Sequence, residues 1–575
     1  MQQRSIPAIL EEIGALLEIE GENTFKVKAY YNAARIIAGL DNFESIVKQG
    51  RLREIKGIGE TLAAKIIEYS ETGKIAYHEE LKQKFPLGLL ELLGIPNLGP
   101  KKIKVLYEQL GITTMGELEY ACKENRLIGL FRFGEKTQEK ILKGIDFFKR
   151  HKGEFLFGEV YPLATKLRER FSRMAPEGLV EVCGSVRRKK EIVRDIDLLV
   201  AGDEWAGISR QFTSMPGVEE VLVEGETKTS VRLASGLEAD LRVVSTTSFP
   251  YALIYFTGSK EHNVKLRGIA KRRNLKLNEY GLFEGERFIA LEDENAIYHY
   301  LGLSFIPPEL REDMGEIEAA QNGNLPQLVE MKDIKGTLHV HTDMSDGSDD
   351  LEAIANVARE LGLSYVGISD HSKSAYYAGG LKADDVLRQW EAIDRFNEAN
   401  QDFCFFKGIE SDILPDGSLD YEDDLLAGFD FVIASVHSAF TMTQVDMERR
   451  IMRAMENPHV TVLGHPTGRL LLAREGYRVD MRTIIDAAAE HKVVIELNAS
   501  PYRLDIDWRY MKQAKEKGVK IAINPDAHSA KGLAELVYGL GIARKGWLEP
   551  GDVLNSKNSV ELREFFRRVK NEKRH

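Results

Sequence analysis

The sequence predicts a multidomain protein with an all-α N-terminal region, a mixed α/β unit and a C-terminal distorted seven-stranded βα barrel. At 575 residues the chain is about four times an ordinary domain of ~150 residues, so no single core serves it. In the first 150 residues Ile9, Ile13, Leu16 and Leu17 repeat at helical spacing, and strand-like alternation is missing. Beyond residue 333, seven apolar strand-like runs alternate with helical stretches, the pattern of a βα barrel. A composition of 43% hydrophobic and 29% charged residues excludes collagen-like, disordered and coiled-coil classes. No run approaches the ~18–20 apolar residues of a membrane span, and the opening residues lack a signal peptide's cationic and apolar regions. A soluble, cytoplasmic protein is expected, and three scattered cysteines, Cys122, Cys183 and Cys404, suit a reducing compartment.

The net charge of −12 argues against a generally basic nucleic-acid binder, but the charge is segregated. Residues 1–150 carry 23 basic against 21 acidic groups, whereas those beyond 318 carry 32 against 41. Nine of the 13 histidines also lie beyond residue 338, beside that carboxylate surplus, as a mixed nitrogen and oxygen metal site requires.

In the N-terminal region two apolar-glycine turns precede helices, Ile55-Lys56-Gly57-Ile58-Gly59 and Ile95-Pro96-Asn97-Leu98-Gly99, with a looser third at Leu130-Phe131-Arg132-Phe133-Gly134. Such helix-hairpin-helix turns leave backbone N–H groups pointing outwards to hold phosphate without reading a base, so Gly57, Gly59 and Gly99 are candidate DNA-backbone contacts. From about residue 155 the pattern becomes mixed, with strands expected at Leu179–Gly184, Asp195–Val200, Val218–Val223 and Leu237–Val244. Gly184-Ser185 with Arg187 and Arg188 offers N–H, hydroxyl and guanidinium donors suited to phosphate oxygens. Strand alternation puts Asp195 and Asp197 on one face, and likewise Glu238, Asp240 and Arg242. A neighbouring strand that brings Asp240 to the first pair gives three acids able to bracket two Mg²⁺ ions for phosphoryl transfer.

The block from Gly184 to Val200 resembles the palm motif of family X DNA polymerases, and Tyr255-Phe256-Thr257-Gly258-Ser259 with Asn263 and Arg267 resembles their nucleotide pocket. The resemblance, which spans about residues 1–318, implies Asp195, Asp197 and Asp240 as catalytic metal ligands for two Mg²⁺ or Mn²⁺ ions. It implies Gly184, Ser185 and Arg188 at the triphosphate, Tyr255, Phe256 and Gly258 beside the sugar, and Asn263 and Arg267 near the nascent base pair. Arg194 stands where relatives have glycine, and Lys260 where they have an acid. Lys65 matches a Schiff-base lysine of the family's lyase domain, with Lys26 and Tyr30 at its 5′-phosphate, although Thr61 replaces another expected lysine. An amine nucleophile needs a lowered pKa, and the residues leave open whether Lys65 is desolvated or salt-bridged.

Nine chemistry-bearing residues mark the apolar runs of the last region: His339 and His341 lie within one run, their imidazoles on one side, and Asp346, His371, Glu410, His437, His465, Asp526 and His528 follow such runs or sit in the turn after one. In a βα barrel the C-terminal strand ends converge on one face, which makes such distant residues neighbours. His299, His459, His491 and His575 lie outside the pattern. The set, over about 333–575, resembles the PHP (polymerase and histidinol phosphatase) domain, whose trinuclear site implies up to three Mn²⁺, Zn²⁺ or Fe²⁺ ions. The resemblance implies His339, His341, Glu410 and Asp526 around one ion, Glu410, His437 and His465 around a second, and Asp346, His371 and His528 around a third.

The two resemblances imply helical domain 1–84, polymerase core 85–318 (fingers 85–150, palm 151–245, nucleotide-pocket subdomain 246–318), linker 319–332 and PHP domain 333–575. They imply a bacterial family X DNA polymerase with a metal-dependent 3′-5′ exonuclease, acting as a monomer in base excision repair. Its partners are primed or gapped DNA with a 5′-phosphate and deoxynucleoside triphosphates. Apurinic-site endonuclease and 3′-phosphatase activities stay open beside the exonuclease. The alternatives are a phosphoesterase led by the barrel, with the N-terminal part binding DNA, a nucleotidyltransferase for RNA or small molecules, and a silent scaffold.

Overall fold

The computed structural model describes residues 6–38, 43–48, 51–55, 57–95, 98–130, 133–149, 153–173, 179–202 and 205–574. Lys56, Pro96, Asn97, Phe131 and Arg132 of the expected turns lie outside them. The chain forms two compact units, 1–148 and 149–575.

The described part of the first unit is helical, from Ile6–Glu20 and Thr24–Ala38 to Pro100–Leu110, Met115–Lys123 and Glu135–Lys149. Ile13, Leu16 and Leu17 are fully buried with Ala33, Ala34 and Ile66, so the helical spacing marks a core face. The three glycine turns share one construction. In each, an N–H reaches back three residues: Ile58 to Ile55 O at 3.0 Å, Leu98 to Ile95 O at 3.1 Å, and Phe133 to Leu130 O at 3.0 Å. A helix then starts behind Gly59 or Gly99, where a Cβ would meet only open space. Gly57 has φ +103° and its Cβ would lie 2.7 Å from Ile36 Cδ1, so the tight turn depends on the missing side chain.

In the second unit a five-stranded sheet runs in the order Val180–Val182, Asp195–Ala201, Glu238–Val244, Lys228–Leu233, Val218–Glu224. Only Asp195–Ala201 and Glu238–Val244 pair in parallel. Lys228–Leu233 was not among the expected strands, because Lys-Thr-Ser-Val-Arg-Leu carries polar residues on both faces and masks the period of two. Helices Phe249–Thr257 and Lys260–Arg272 and a three-stranded antiparallel sheet over 275–289 follow.

The barrel strands, Gly336–Thr337, Tyr365–Ile368, Cys404–Asp412, Phe431–Ser435, Val462–Leu463, Val494–Asn498 and Ile521–Asn524, are all parallel and lie in chain order. Leu338 N donates to Asn524 Oδ1 at 3.1 Å, and a bridge joins Val340 to Ala527, which nearly closes the ring. The last helix, Ser559–Arg574, buries Leu562, Phe565, Phe566 and Val569 against Tyr365, Phe406, Phe431 and Val494. Tyr365 opens its strand and Phe431 its own, so this helix plugs the N-terminal end of the barrel and leaves the C-terminal strand ends for chemistry.

The stretch 319–332 packs along the barrel: Val329 is fully buried and its N–H donates to Leu548 O at 3.0 Å. The helix Phe157–Ser172 of the α/β part also meets the barrel. Tyr538 packs edge-on against Phe157 and Tyr161, and a Cβ at Gly158 would lie 2.4 Å from Pro501 Cβ. Gly158→Val should force these layers apart and destabilise the second unit by about 1–3 kcal/mol, read as a lower urea midpoint.

Candidate metal centres

Register builds the first centre. Asp197 stands opposite Asp240 and Asp195 opposite Glu238 on the two parallel strands, so the acids share one face as alternation requires. Ser230, opposite Asp240 on the next strand, donates to its Oδ1 at 2.6 Å, and Lys228 meets its Oδ2 at 2.5 Å. Burial, together with the neighbouring Asp195 and Asp240 carboxylates, pushes Asp197 up to about 7. Asp195 is also raised, by burial and then by Asp240. A crowd of acids short of positive charge suits divalent cations.

The Gly184-Ser185 turn closes on this centre. Gly184 has φ +60°, and a Cβ there would lie 2.2 Å from Asp197 Oδ2, so the phosphate-type turn and the acids touch only because the residue is glycine. Ser185 is half-buried. Arg188 is 9% exposed and donates through Nε to Glu312 Oε1 at 3.0 Å and through Nη1 to Thr257 O. Arg187, expected beside Arg188 as a donor to phosphate, instead forks onto Glu294, which also takes Arg311 Nη1 at 2.7 Å. Burial opposes ionisation of Glu294, yet Arg311 and Arg187 outweigh it and hold the carboxyl at about 2.

Tyr255 and Phe256 end the helix Phe249–Thr257, with ring centroids 5.1 Å apart, and Arg242 lies 4.3 Å over the Phe256 ring. Asn263 and Arg267 sit one turn apart on the next helix; Asn263 Nδ2 donates to Tyr255 O at 2.7 Å and Arg267 Nε to Asn263 O at 3.3 Å. Gly258 lies between the helices, with a Cβ position 3.1 Å from Arg188 Nη1. The structure thus joins both blocks. Arg194 points to Glu154 at 2.7 Å, and Lys260 is exposed.

At the barrel mouth all nine expected residues converge. Glu410 is central: His371 Nδ1 lies 2.9 Å from Oε2, and His465 Nε2 and His437 Nε2 lie 3.1 and 3.2 Å from Oε1. His339 Nε2 is 3.4 Å from both Glu410 and Asp526, and His341 Nε2 is 3.2 Å from Asp526. Asp346 Oδ2 meets His371 and His528 at 3.4 and 3.3 Å. Three groups have ligand atoms within 4.8 Å of one another: His341, Asp346, His371 and His528; His339, His341 and Asp526; His371, Glu410 and His437. Among the described residues all such groups lie here, while the Asp195, Asp197 and Asp240 oxygens are more widely spread.

The donor chemistry fits metal. His339 Nε2, His341 Nδ1 and Asp346 Oδ2 are buried without a hydrogen bond, and buried polar atoms of this kind need a partner. Burial, then His528 and His371, lowers His341 to about 4, which keeps its imidazole neutral as a ligand must be. Burial alone would raise Glu410, but His437, His339 and His371 outweigh it and hold the carboxyl well below its usual range. Behind the ligands stand acids the sequence reading missed. Glu496 meets His339 Nδ1 at 2.8 Å, Asp412 meets His437 Nδ1 at 2.5 Å, and Asp370 accepts from Thr342 N and Oγ1 at 2.7 Å. Their signal was faint but present, since Asp370 precedes His371 and Asp412 follows Glu410 by two.

In the N-terminal unit Lys65, Lys26 and Tyr30 gather around Tyr77, which was not a candidate. Lys65 Nζ lies 4.1 Å over the Tyr77 ring and Lys26 Nζ 5.6 Å, while Tyr30 stacks at 6.4 Å. Burial lowers the Lys65 ammonium and pushes the Tyr30 phenol up to about 12.

Comparison with known proteins matches this layout. Family models for a helix-hairpin-helix domain match residues 1–75, and one for a SAM-like helix-hairpin-helix tandem matches 89–146. Those for a DNA polymerase beta thumb and a PHP domain match 252–312 and 337–500. DNA polymerase/3'-5' exonuclease PolX of Bacillus subtilis (strain 168) is 37% identical over 572 residues, 99% of this chain and 100% of its own length. A probable phosphatase of Thermoanaerobacter sp. (strain X514) is 27% identical over 256 residues, 41% of this chain and 97% of its own. Another, of Caldicellulosiruptor bescii, is 31% identical over 205 residues, 33% of this chain and 78% of its own. With a relative aligned from end to end and thumb and PHP matches in the order of the fold, the chain belongs to the family X DNA polymerases that carry a C-terminal PHP domain.

Proposed function

We propose that the protein is a DNA-directed DNA polymerase that fills short gaps in base excision repair and carries a metal-dependent 3′-5′ exonuclease in its barrel. The observation that carries this is the in-register face of Asp195, Asp197 and Asp240 closed by the Gly184 turn, in one compact unit with the nine-residue barrel mouth. The end-to-end relative named for both activities supports it. Asp195, Asp197 and Asp240 would hold two Mg²⁺ or Mn²⁺ ions, whose positive charge would favour ionisation of a 3′-hydroxyl and departure of pyrophosphate. Gly184, Ser185 and Arg188 orient the triphosphate. Tyr255, Phe256 and Gly258 form a flat wall for the sugar, and Asn263 and Arg267 approach the nascent pair. Gly57, Gly59 and Gly99 offer helix N-termini to the DNA backbone. Lys65, with Lys26 and Tyr30, is the candidate for 5′-deoxyribose-phosphate lyase chemistry, and the lowered Lys65 ammonium supports it.

In the barrel, His339, His341, Asp346, His371, Glu410, His437, His465, Asp526 and His528 would hold up to three Mn²⁺, Zn²⁺ or Fe²⁺ ions, which supply polarisation of a phosphate ester and an activated water. The protein's own contribution is orientation, and Glu496 fixes the His339 ring through Nδ1. The substrates on this reading are gapped or primed DNA with a 5′-phosphate and deoxynucleoside triphosphates, and the protein works as a cytoplasmic monomer. Domain limits of 1–84, 85–318 and 333–575, with a linker at 319–332, belong to the same reading. Among the described residues no helix is long and apolar enough to cross a membrane. The probable phosphatases among the relatives favour one second reading of the barrel, a 3′-phosphatase, while apurinic-site endonuclease activity stays an alternative on the same residues.

A labelled one-nucleotide gap with a 5′-phosphate and Mn²⁺ tests the reading: extension with the complementary nucleotide and shortening without it are expected, and shortening alone would leave the middle domain a DNA-binding part. Asp195→Ala should cut extension at least about 100-fold and spare 3′ hydrolysis, and His339→Ala should do the reverse. Loss of both activities in either folded variant would sink the two-site account. Glu496→Gln should weaken metal binding by the barrel about 10- to 100-fold, measured by titration of metal-free protein, with gap extension retained.

A further inference from the structure

One buried cation of the barrel reaches into the nucleotide end of the α/β part. The helix Leu536–Lys545 lies against the turn that carries Arg188: a Cβ at Gly541 would sit 3.3 Å from Lys189 Cγ, and Lys189 Nζ lies 3.9 Å over the Tyr161 ring. At the end of that helix Lys545 is fully buried. Its Nζ donates to Glu312 Oε1 at 2.6 Å and to Arg188 O at 3.0 Å, and lies 4.8 Å over the Trp508 ring. Glu312 Oε1 is the atom that also accepts from Arg188 Nε at 3.0 Å, and Lys190 Nζ stands 3.7 Å from Oε2.

A single carboxylate is therefore shared between Arg188 and a cation from the other domain. Charge decides what this does. Glu312 is 9% exposed at its side chain, so its charge must be balanced inside the protein. With Lys545 in place, Arg188 need not spend its whole charge on Glu312 and can act on a triphosphate. Without Lys545, Glu312 draws on Arg188 and Lys190 alone and repels the incoming phosphates. The carbonyl of Arg188 also loses the donor that holds the turn. We propose that Lys545 is a positioning residue for nucleotide binding, so that the barrel completes the polymerase site by balancing Glu312 and fixing the Arg188 turn. The inference rests on the polymerase reading and adds a residue to it. Burial opposes ionisation of Glu312, yet Lys545 and Arg188 together outweigh it and hold the carboxyl below its usual range, whereas burial brings the Lys545 ammonium down to about 8.

Full-length protein tests it in single-nucleotide gap extension, with 3′ hydrolysis followed in parallel. Lys545→Met should raise KM for the nucleotide about tenfold or more with kcat nearly unchanged, because a binding contact and not a transition-state contact is lost. Hydrolysis at the barrel should persist. Adding Glu312→Gln, which removes the unmatched charge, should return KM to within about threefold of wild type, the coupling expected of groups in direct contact. If Lys545→Met alone does not fold, Lys545→Gln, which keeps a donor at this place and removes only the charge, carries the same comparison with and without Glu312→Gln. A wild-type KM in Lys545→Met, a raised KM that Glu312→Gln does not restore, or a parallel loss of kcat and hydrolysis would each overturn the proposal. Wild-type protein that fails to extend at all would remove the polymerase reading and this one with it, whereas normal extension by Lys545→Met removes this one alone.

Discussion

Charge taken out of water must find a partner inside the protein, and the second unit is arranged around that constraint. At the barrel mouth Glu410 meets five imidazoles and Asp526 three. In the sheet, Lys228 answers Asp240 where three acids crowd together. Arg187 and Arg311 share Glu294, and Lys545 and Arg188 share Glu312. The difference between these clusters is instructive. Where arginine or lysine matches each carboxylate, the network is closed and ties elements together. Where buried nitrogens and oxygens keep no hydrogen bond, as at His339 Nε2 and Asp346 Oδ2, the set has room for cations and hence for chemistry.

Packing decides which end of each element can be chemical. The C-terminal helix fills one end of the barrel with Phe565 and Phe566, so the ligand residues at the strands' other ends face the remaining opening. Glycines govern the approach of backbone to side chain at two points. Gly184 lets a phosphate-type turn touch Asp197, and Gly158 lets the α/β part lie on Pro501 of the barrel. The two centres of this unit are consequently parts of one packed body, joined by Tyr538, Gly541 and Lys545. The helical N-terminal unit stands on different physics, with repeated apolar-glycine turns that start helices at Gly59 and Gly99.

Much of this was legible in the residues. The seven barrel strands fall on the seven apolar runs, because a strand buried on both faces is written as an uninterrupted apolar stretch. The nine mouth residues could be picked out because they mark those runs or the turns beyond them. The strand Lys228–Leu233 could not, since it buries the polar Thr229 and Ser230 beside Val231 and Leu233 and so shows no apolar run. Tyr77 and Glu496 were also hidden, since each acts by touching a candidate residue and such contact leaves no spacing to read, whereas Asp370 and Asp412 lay within two positions of a candidate.

By itself, then, the sequence determined the order of domains, the helical and strand periods, the acids that share a face, and the set of strand-end histidines. Each follows from local geometry, in which side chains alternate along a strand and recur every three to four residues along a helix. Only the tertiary structure decided that Asp240 stands opposite Asp197, that His371 lies between Glu410 and Asp346, and that Lys545 reaches Glu312 across more than two hundred positions of chain. These depend on strand register and on how layers of the fold meet, and a buried charge shows its partner only once both have been brought together in the same dry space.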